Sequence, residues 1–185
     1  AILEVSFLGE KAIFFLPVGR QLQAVEVESQ SPVWGLGGSE ELPANITTSP
    51  VLLEQPDARL LMVGCEDGCL YAWTLKDGRR ARSWQGRGGA IRAPPFVAPP
   101  MVVAGTSEGA LYFFELRGGL TGAPVLLGGT ISSPMALQRR LLYVGASSPD
   151  GLYGIDLDRQ TLQFKLAGEQ IRGGVTVAPT VSGNR

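Results

Sequence analysis

Histidine is missing from all 185 residues. Its absence removes the side chain that most often acts as a general base near neutral pH and most often ligates transition metals. Cysteine is nearly as scarce, with two copies. Charge of either sign is sparse: 16 basic against 17 acidic residues leave a net −1. That balance argues against general, charge-driven attachment to DNA or to a lipid surface. No run of about 18 uncharged apolar residues occurs, so no segment reads as a membrane-spanning helix. The opening residues, AILEVSFLGEK, lack the basic start and small-residue cleavage site of a secretory signal, although a signal already removed would leave no trace. Helical periodicity is convincing nowhere.

What the chain has instead is 44% hydrophobic residues, 25 glycines and 13 prolines. The first supplies a core, and the turn formers favour many short strands over long helices. The strands repeat. Residues 63–73, VGCEDGCLYAW, return as 103–114, VAGTSEGALYFF, and as 144–155, VGASSPDGLYGI. Each is an apolar strand ending in glycine, a polar turn and then Leu-Tyr; Leu70, Leu111 and Leu152 stand 41 residues apart each time. A weaker copy, VGRQLQAVEV at 18–27, places Leu22 48 residues before Leu70. The segments ITTSPVLL, IRAPPFV, ISSPMAL and VTVAPTV run in phase and carry Pro50, Pro94, Pro134 and Pro179. PVWGLGG, RSWQGRGG, PVLLGG and LQFKLAG supply a third mark, each an apolar or aromatic strand running into glycine.

Each unit therefore reads as four short strands, in the second unit 48–53, 59–64, 69–75 and 80–85. The second strand is almost wholly apolar, as expected when both faces are covered. Four-stranded units repeating at 40–48 residues predict an all-β fold, a β-propeller of four-stranded antiparallel blades. The units fall at roughly 1–46, 47–89, 90–130 and 131–173, with a fifth beginning at 174–185. The four leucines are expected at equivalent buried positions. About four blades make a partial ring, so exposed blade faces should be completed by more chain, a second copy or a partner. Residues 175–181 match an innermost strand without the three strands that belong outside it.

The repeat lacks the Gly-His and Trp-Asp pairs of WD40 blades, and its double glycines follow the outer strand, unlike those of kelch blades. Its pattern of strand, Gly, turn, Asp-Gly-x-Leu-Tyr-Ala, Gly, Trp, Gly-Gly-x-Ile-x-Ser-Pro resembles the PQQ-type repeat. Asp67, Gly68, Leu70, Tyr71, Ala72, Gly78 and Trp84 fall on that consensus, with Trp84 two residues late for the family's tryptophan docking. The family includes quinoprotein dehydrogenases, the lipoprotein of the outer-membrane β-barrel assembly machinery and the propeller of some acyl-CoA synthetases. The resemblance leans toward the non-enzymatic branch and toward a bacterial periplasmic or other extracytoplasmic setting.

Candidate sites are few. Cys65 and Cys69 bracket a hairpin turn; the third unit has Thr106 and Ala110 there, so the fold does not need sulfur. Zinc would require further Cys or His ligands, and a redox pair has two intervening residues where this has three. Free thiols and a cross-strand disulfide both remain open. The glycine-rich turns open no helix and so do not form phosphate loops. Asp156 and Asp158 read as turn caps. Lys76, Arg79, Arg80, Arg82, Arg87 and Arg92 gather within 17 residues, opposed by Asp77 alone. They form either a solvated outer edge that discourages strand pairing or a docking patch for an acidic partner or a lipid headgroup. Asn45-Ile46-Thr47 is a glycosylation sequon.

No set of residues is expected to hold a metal or cofactor. The leading expectation is a non-catalytic scaffold that binds a protein partner, or an accessory or sensor propeller of a longer protein. Residues 38–47 and 55–58 are its least repetitive loops. The alternative is a fragment of a quinone-dependent dehydrogenase, although the acid and amide side chains sit in turns and no vicinal Cys-Cys pair or CxxCH occurs.

Overall fold

The computed structural model describes residues 4–8, 11–34, 40–56, 59–148 and 151–167, with 4–8 and 167 given by backbone alone. All regular structure among them is β. Strands β1 (Glu4–Leu8), β2 (Lys11–Val18) and β3 (Gln21–Glu26) form one antiparallel sheet, and a bridge between Val25 and Pro32 begins its fourth line. The second sheet holds β4 (Val51–Glu54), β5 (Arg59–Gly64), β6 (Cys69–Thr74) and β7 (Arg80–Gln85). The third holds β8 (Phe96–Ala98), β9 (Met101–Gly105), β10 (Ala110–Glu115) and β11 (Val125–Leu126). The fourth holds β12 (Ala136–Gln138), β13 (Leu141–Ala146), β14 (Gly151–Asp156) and β15 (Thr161–Ala167). Each sheet meanders in chain order, and the four sheets are the blades of a β-propeller that do not close into a ring.

Three cores join the blades in series. Ile13, Phe15, Leu22 and Ala24 of the first blade meet Leu61, Val63, Tyr71 and Trp73 of the second. The opposite face of the second, with Leu60, Met62, Leu70 and Ala72, meets Val102, Ala104, Tyr112 and Phe114 of the third. Val103, Leu111 and Phe113 on the third blade's other face meet Leu142, Val144, Tyr153 and Ile155 of the fourth. The alternation of a strand explains this division, because successive side chains leave on opposite faces. β5 reads as continuously apolar because its odd and even residues feed two different cores. The Leu-Tyr dipeptide encodes a direction: leucine points to the following blade and tyrosine to the preceding one.

The linkers into the third and fourth blades share one joint. Ile91 lies against Gly64 and Ile131 against Gly105, so closely that a Cβ on either glycine would come within 2.4 or 2.3 Å of the isoleucine's Cγ2. The Ile91 N–H donates to the Cys65 carbonyl at 3.0 Å, and the Ile131 N–H to the Thr106 carbonyl at 3.0 Å. Tryptophan completes two boundaries: Trp34 Nε1 donates to the Leu75 carbonyl at 3.1 Å, and Trp84 Nε1 to the Glu115 carbonyl at 3.0 Å. Gly78, at φ +66°, lies under the Trp34 indole, where any side chain would strike the ring. The third boundary has aliphatics in place of tryptophan and reverses the bond, with the Tyr153 hydroxyl donating to the Leu127 carbonyl at 3.0 Å.

Two expectations need correction. Leu22, Leu70 and Leu111 are fully buried, but Leu152 is only half-buried. It pairs with Gly145 as Leu111 pairs with Gly105 and Leu70 with Gly64, so the position is equivalent. What differs is that no described blade lies on its face. The first strand of the second unit begins at Val51, not at residue 48. Pro50 has no N–H to offer a ladder, and the Thr48 hydroxyl accepts the Gly64 N–H at 2.8 Å where a strand carbonyl would have done so. Residues 175–181 lie outside the described residues.

Candidate functional site

The cysteine hairpin is a closed structural device. Cys65 and Cys69 are free thiols, the first buried and the second half-buried. The Cys65 N–H donates to the Cys69 carbonyl at 3.1 Å, and Asp67 Oδ1 accepts the Cys69 N–H at 2.9 Å. Asp67 Oδ2 accepts the Tyr71 hydroxyl at 2.8 Å. Burial pushes the Cys65 thiol far up, with nearby Asp67 adding to the effect, and burial likewise raises Cys69. Both thiols therefore stay protonated at neutral pH, which is the unreactive form. The third unit meets the same need differently: the Ala110 N–H donates to Thr106 Oγ1 at 3.1 Å.

The acidic residues are occupied in the same way. Asp156 Oδ1 accepts the N–H groups of Asp158 and Arg159, both at 3.0 Å, and Asp158 instead pairs with Arg140. Asp77 accepts the Thr74 hydroxyl and the Arg79 N–H. Among the described residues no three His, Cys, Asp or Glu side chains converge. A quinone held through calcium needs such a convergence of oxygens, and Asp67, Asp77 and Asp156 each turn back on their own hairpin. These residues do not fit that group. The sequon is likewise structural, with the Thr47 hydroxyl donating to the Gly64 carbonyl at 3.0 Å and Asn45 Nδ2 to Glu66 at 2.9 Å.

The six clustered cations spread along β7. Lys76 and Arg79 sit at the turn before it, while Arg87 and Arg92 follow its far end, about 20 Å away for a six-residue strand. Arg79 pairs with Asp77 at 3.5 Å and Arg80 with Glu40 at 3.3 Å. Arg82 Nη1 crosses to the third blade and donates to the Leu116 carbonyl at 2.9 Å. Lys76, Arg87 and Arg92 are exposed.

A different surface gathers the residues that do not repeat. The turns following β4, β8 and β12 share one rim. Gln55 and Pro56 face Pro99, Pro100, Leu116 and Arg117 across a groove of about 240 Å³ between the second and third blades. Pro99 and Pro100 also wall the next groove, about 410 Å³, opposite Leu137, Arg139 and Arg140. Of the loops expected to bind, residues 55–56 line this rim, 40–47 form the linker into the second blade, and the remainder lies outside the described residues. The placing of Pro99-Pro100 and Arg139-Arg140 on this rim was missed. Its available signal was that PP and RR replace each other at equivalent turns, while the flanking strands match.

No protein-family model matches the sequence, and no curated protein matches it. Solved structures match by shape. The computationally designed Ika8 protein aligns with 90% of this chain and 49% of its own, at TM-score 0.69 and 16% identity. The computationally designed Ika4 protein aligns with 83% of this chain and 89% of its own, at TM-score 0.63 and 15% identity. BamB from Moraxella catarrhalis aligns with 85% of this chain and 49% of its own, at TM-score 0.63 and 16% identity. The chain thus spans about half the length of Ika8 and of BamB. Likeness at such identity defines the class, a β-propeller, and goes no further than the fold.

Proposed function

We propose that the chain is a non-catalytic propeller, of the PQQ-type repeat that its sequence resembles, and that it holds a protein partner on the rim formed by the turns after β4, β8 and β12. One observation carries this reading. The repeated residues are consumed in blade-to-blade joints, while those that vary from unit to unit line the rim grooves. A rigid frame presenting variable turns is how a propeller carries binding sites. Asp67, Asp77 and Asp156 are each bonded to groups of their own hairpins.

The test places a photo-crosslinking amino acid at position 56, 100 or 139 on the rim, at position 87 in the basic stretch, and at position 85 on the outer strand. A single discrete adduct at the rim positions, absent at position 85, is the expected result. An adduct at position 87 alone would move the docking surface to the basic edge. Dye reduction coupled to alcohol or sugar oxidation, on adding quinone and calcium, would replace the scaffold reading with the dehydrogenase one.

A further inference from the structure

The two rim grooves make different demands on an occupant. The larger, about 410 Å³ between the third and fourth blades, falls in the range of binding clefts, roughly 300–1,000 Å³. Ala98, Met101 and Leu137 line it; they pack on the core beneath yet stay half-buried, so apolar surface is left in contact with water. Its mouth is basic. Arg139 is exposed, at φ +58° in the turn between β12 and β13, and Arg140 beside it pairs with Asp158. Two arginines against one aspartate leave one positive charge in excess on this lining. In the following turn exposed Arg159 stands against Asp156, whose Oδ1 already accepts two N–H groups of that turn. The smaller groove, about 240 Å³, has room for one side chain and no such excess. There Glu54 and Glu115 stand against Arg117, and Glu54 pairs with Arg59 at 3.3 Å. Pro99 and Pro100 form the ridge between the grooves.

We infer, resting on the rim reading above, that the partner presents an acidic linear segment of its chain. The segment carries two apolar residues three positions apart, one for each groove, with Asp or Glu beside the one seated between the third and fourth blades. The ridge excludes recognition by strand addition, because proline has no N–H to offer a ladder, and the Pro100 carbonyl already accepts the Leu116 N–H at 2.9 Å. What the ridge offers is ring surface of fixed shape, which loses no side-chain freedom when covered. The spacing follows from the blades. Packed sheets lie roughly 10 Å apart, and a polyproline-II chain rises about 3.1 Å per residue with every third side chain on one face. Apolar residues at i and i+3 therefore straddle the ridge on the same side of the segment. Charge then sets the position of the acid. A carboxylate gains a guanidinium at Arg139, where the lining is in positive excess, and would meet Glu54 and Glu115 in the smaller groove.

Selection of random linear peptides displayed on phage, against the full chain and with Arg139→Glu as counter-target, tests this. Enriched sequences should carry the apolar pair and an adjoining Asp or Glu. A synthetic end-capped peptide of the enriched sequence is then followed by fluorescence anisotropy. Arg139→Glu should weaken its binding by roughly tenfold or more, and exchanging the peptide's acids for their amides should cost the unaltered chain a similar factor. Ala98→Phe, which fills the larger groove, should do the same. Arg87→Glu makes the same charge change at an exposed residue beyond the far end of β7 and should leave binding as it was. Arg139 lies in an exposed turn, so its variant should keep the circular dichroism spectrum and decides the matter even where Ala98→Phe does not fold. Enrichment of basic or uncharged sequences, no enrichment over an unrelated target, or equal weakening by Arg87→Glu overturns the inference. The crosslinks at positions 56, 100 and 139 separate its failure from that of the rim itself. A rim adduct to a basic partner segment removes the acidic assignment and keeps the rim, whereas adducts confined to other positions remove both.

Discussion

Leu111 and Leu152 have the same place in the repeat and the same glycine partner across the ladder, yet one is sealed and the other half-covered. Their energetics should divide accordingly. Leu111→Ala empties a site enclosed on all sides and should cost about 2–5 kcal/mol. Leu152→Ala, at a half-buried site, should cost about 1 kcal/mol. Urea midpoints at constant slope read both, and equal losses would show that the fourth blade is capped within its own chain. The buried Cys65 thiol makes a second prediction. Its folded pKa lies above that of the unfolded thiol, near 8.5, so its stabilising share is intact below about pH 8.5. That share falls as pH rises beyond it, with a slope approaching about 1.4 kcal/mol per pH unit for one thiol. Tyr71, raised by burial and by its bond to Asp67, adds to the loss above about pH 10. Replacing Cys65 by Thr and Cys69 by Ala, the residues of the next unit, should keep the fold and flatten the alkaline limb. An unchanged limb would place its origin elsewhere. The direction in which Leu152 points was legible from its spacing. Its exposure was not, because burial depends on the neighbouring blade and no property of Leu152 itself reports that.

At the level of strands and turns, local chemistry carried most of the reading. β5 and β7 lie where the apolar run and the turn residues put them, at 59–64 and 80–85. The start of β4 was misjudged because a threonine hydroxyl can take a ladder bond that periodicity assigns to backbone. Trp84 docks despite its late spacing. The ladder between β6 and β7 shifts between Ala72 and Trp73, so Ala72 faces Arg82 while Trp73 faces Arg80, and the bulge takes up one of the extra residues. The rim was the hardest part to foresee, since a groove between blades is made by turns 40 or more positions apart in sequence. The joint at Gly105 offers the sharpest test at this scale. A methyl there would lie 2.3 Å from Ile131 Cγ2 in a linker held on both sides. Gly105→Ala should therefore cost about 1–3 kcal/mol, although alanine is otherwise the better strand residue. Pairing it with Ile131→Val should recover part of the loss, and a fully additive double variant would mean that the two do not touch.

For the whole molecule, the series of blades was readable because a repeat declares itself in one dimension. Whether the series closes was not, because closure is a relation between its first and last members and leaves no periodic mark. The isoleucine joints carry one more implication. Each fixes the offset between two blades by setting a side chain against a bare backbone, and it does so without reference to which blades they are. A few residues gained in the solvent-facing turns therefore leave that offset alone, whereas the same few gained between the outer strand and the isoleucine would carry the side chain off its glycine. The joints thus fix how neighbouring blades sit, and the rim, where they exert no control, is the part left open to change.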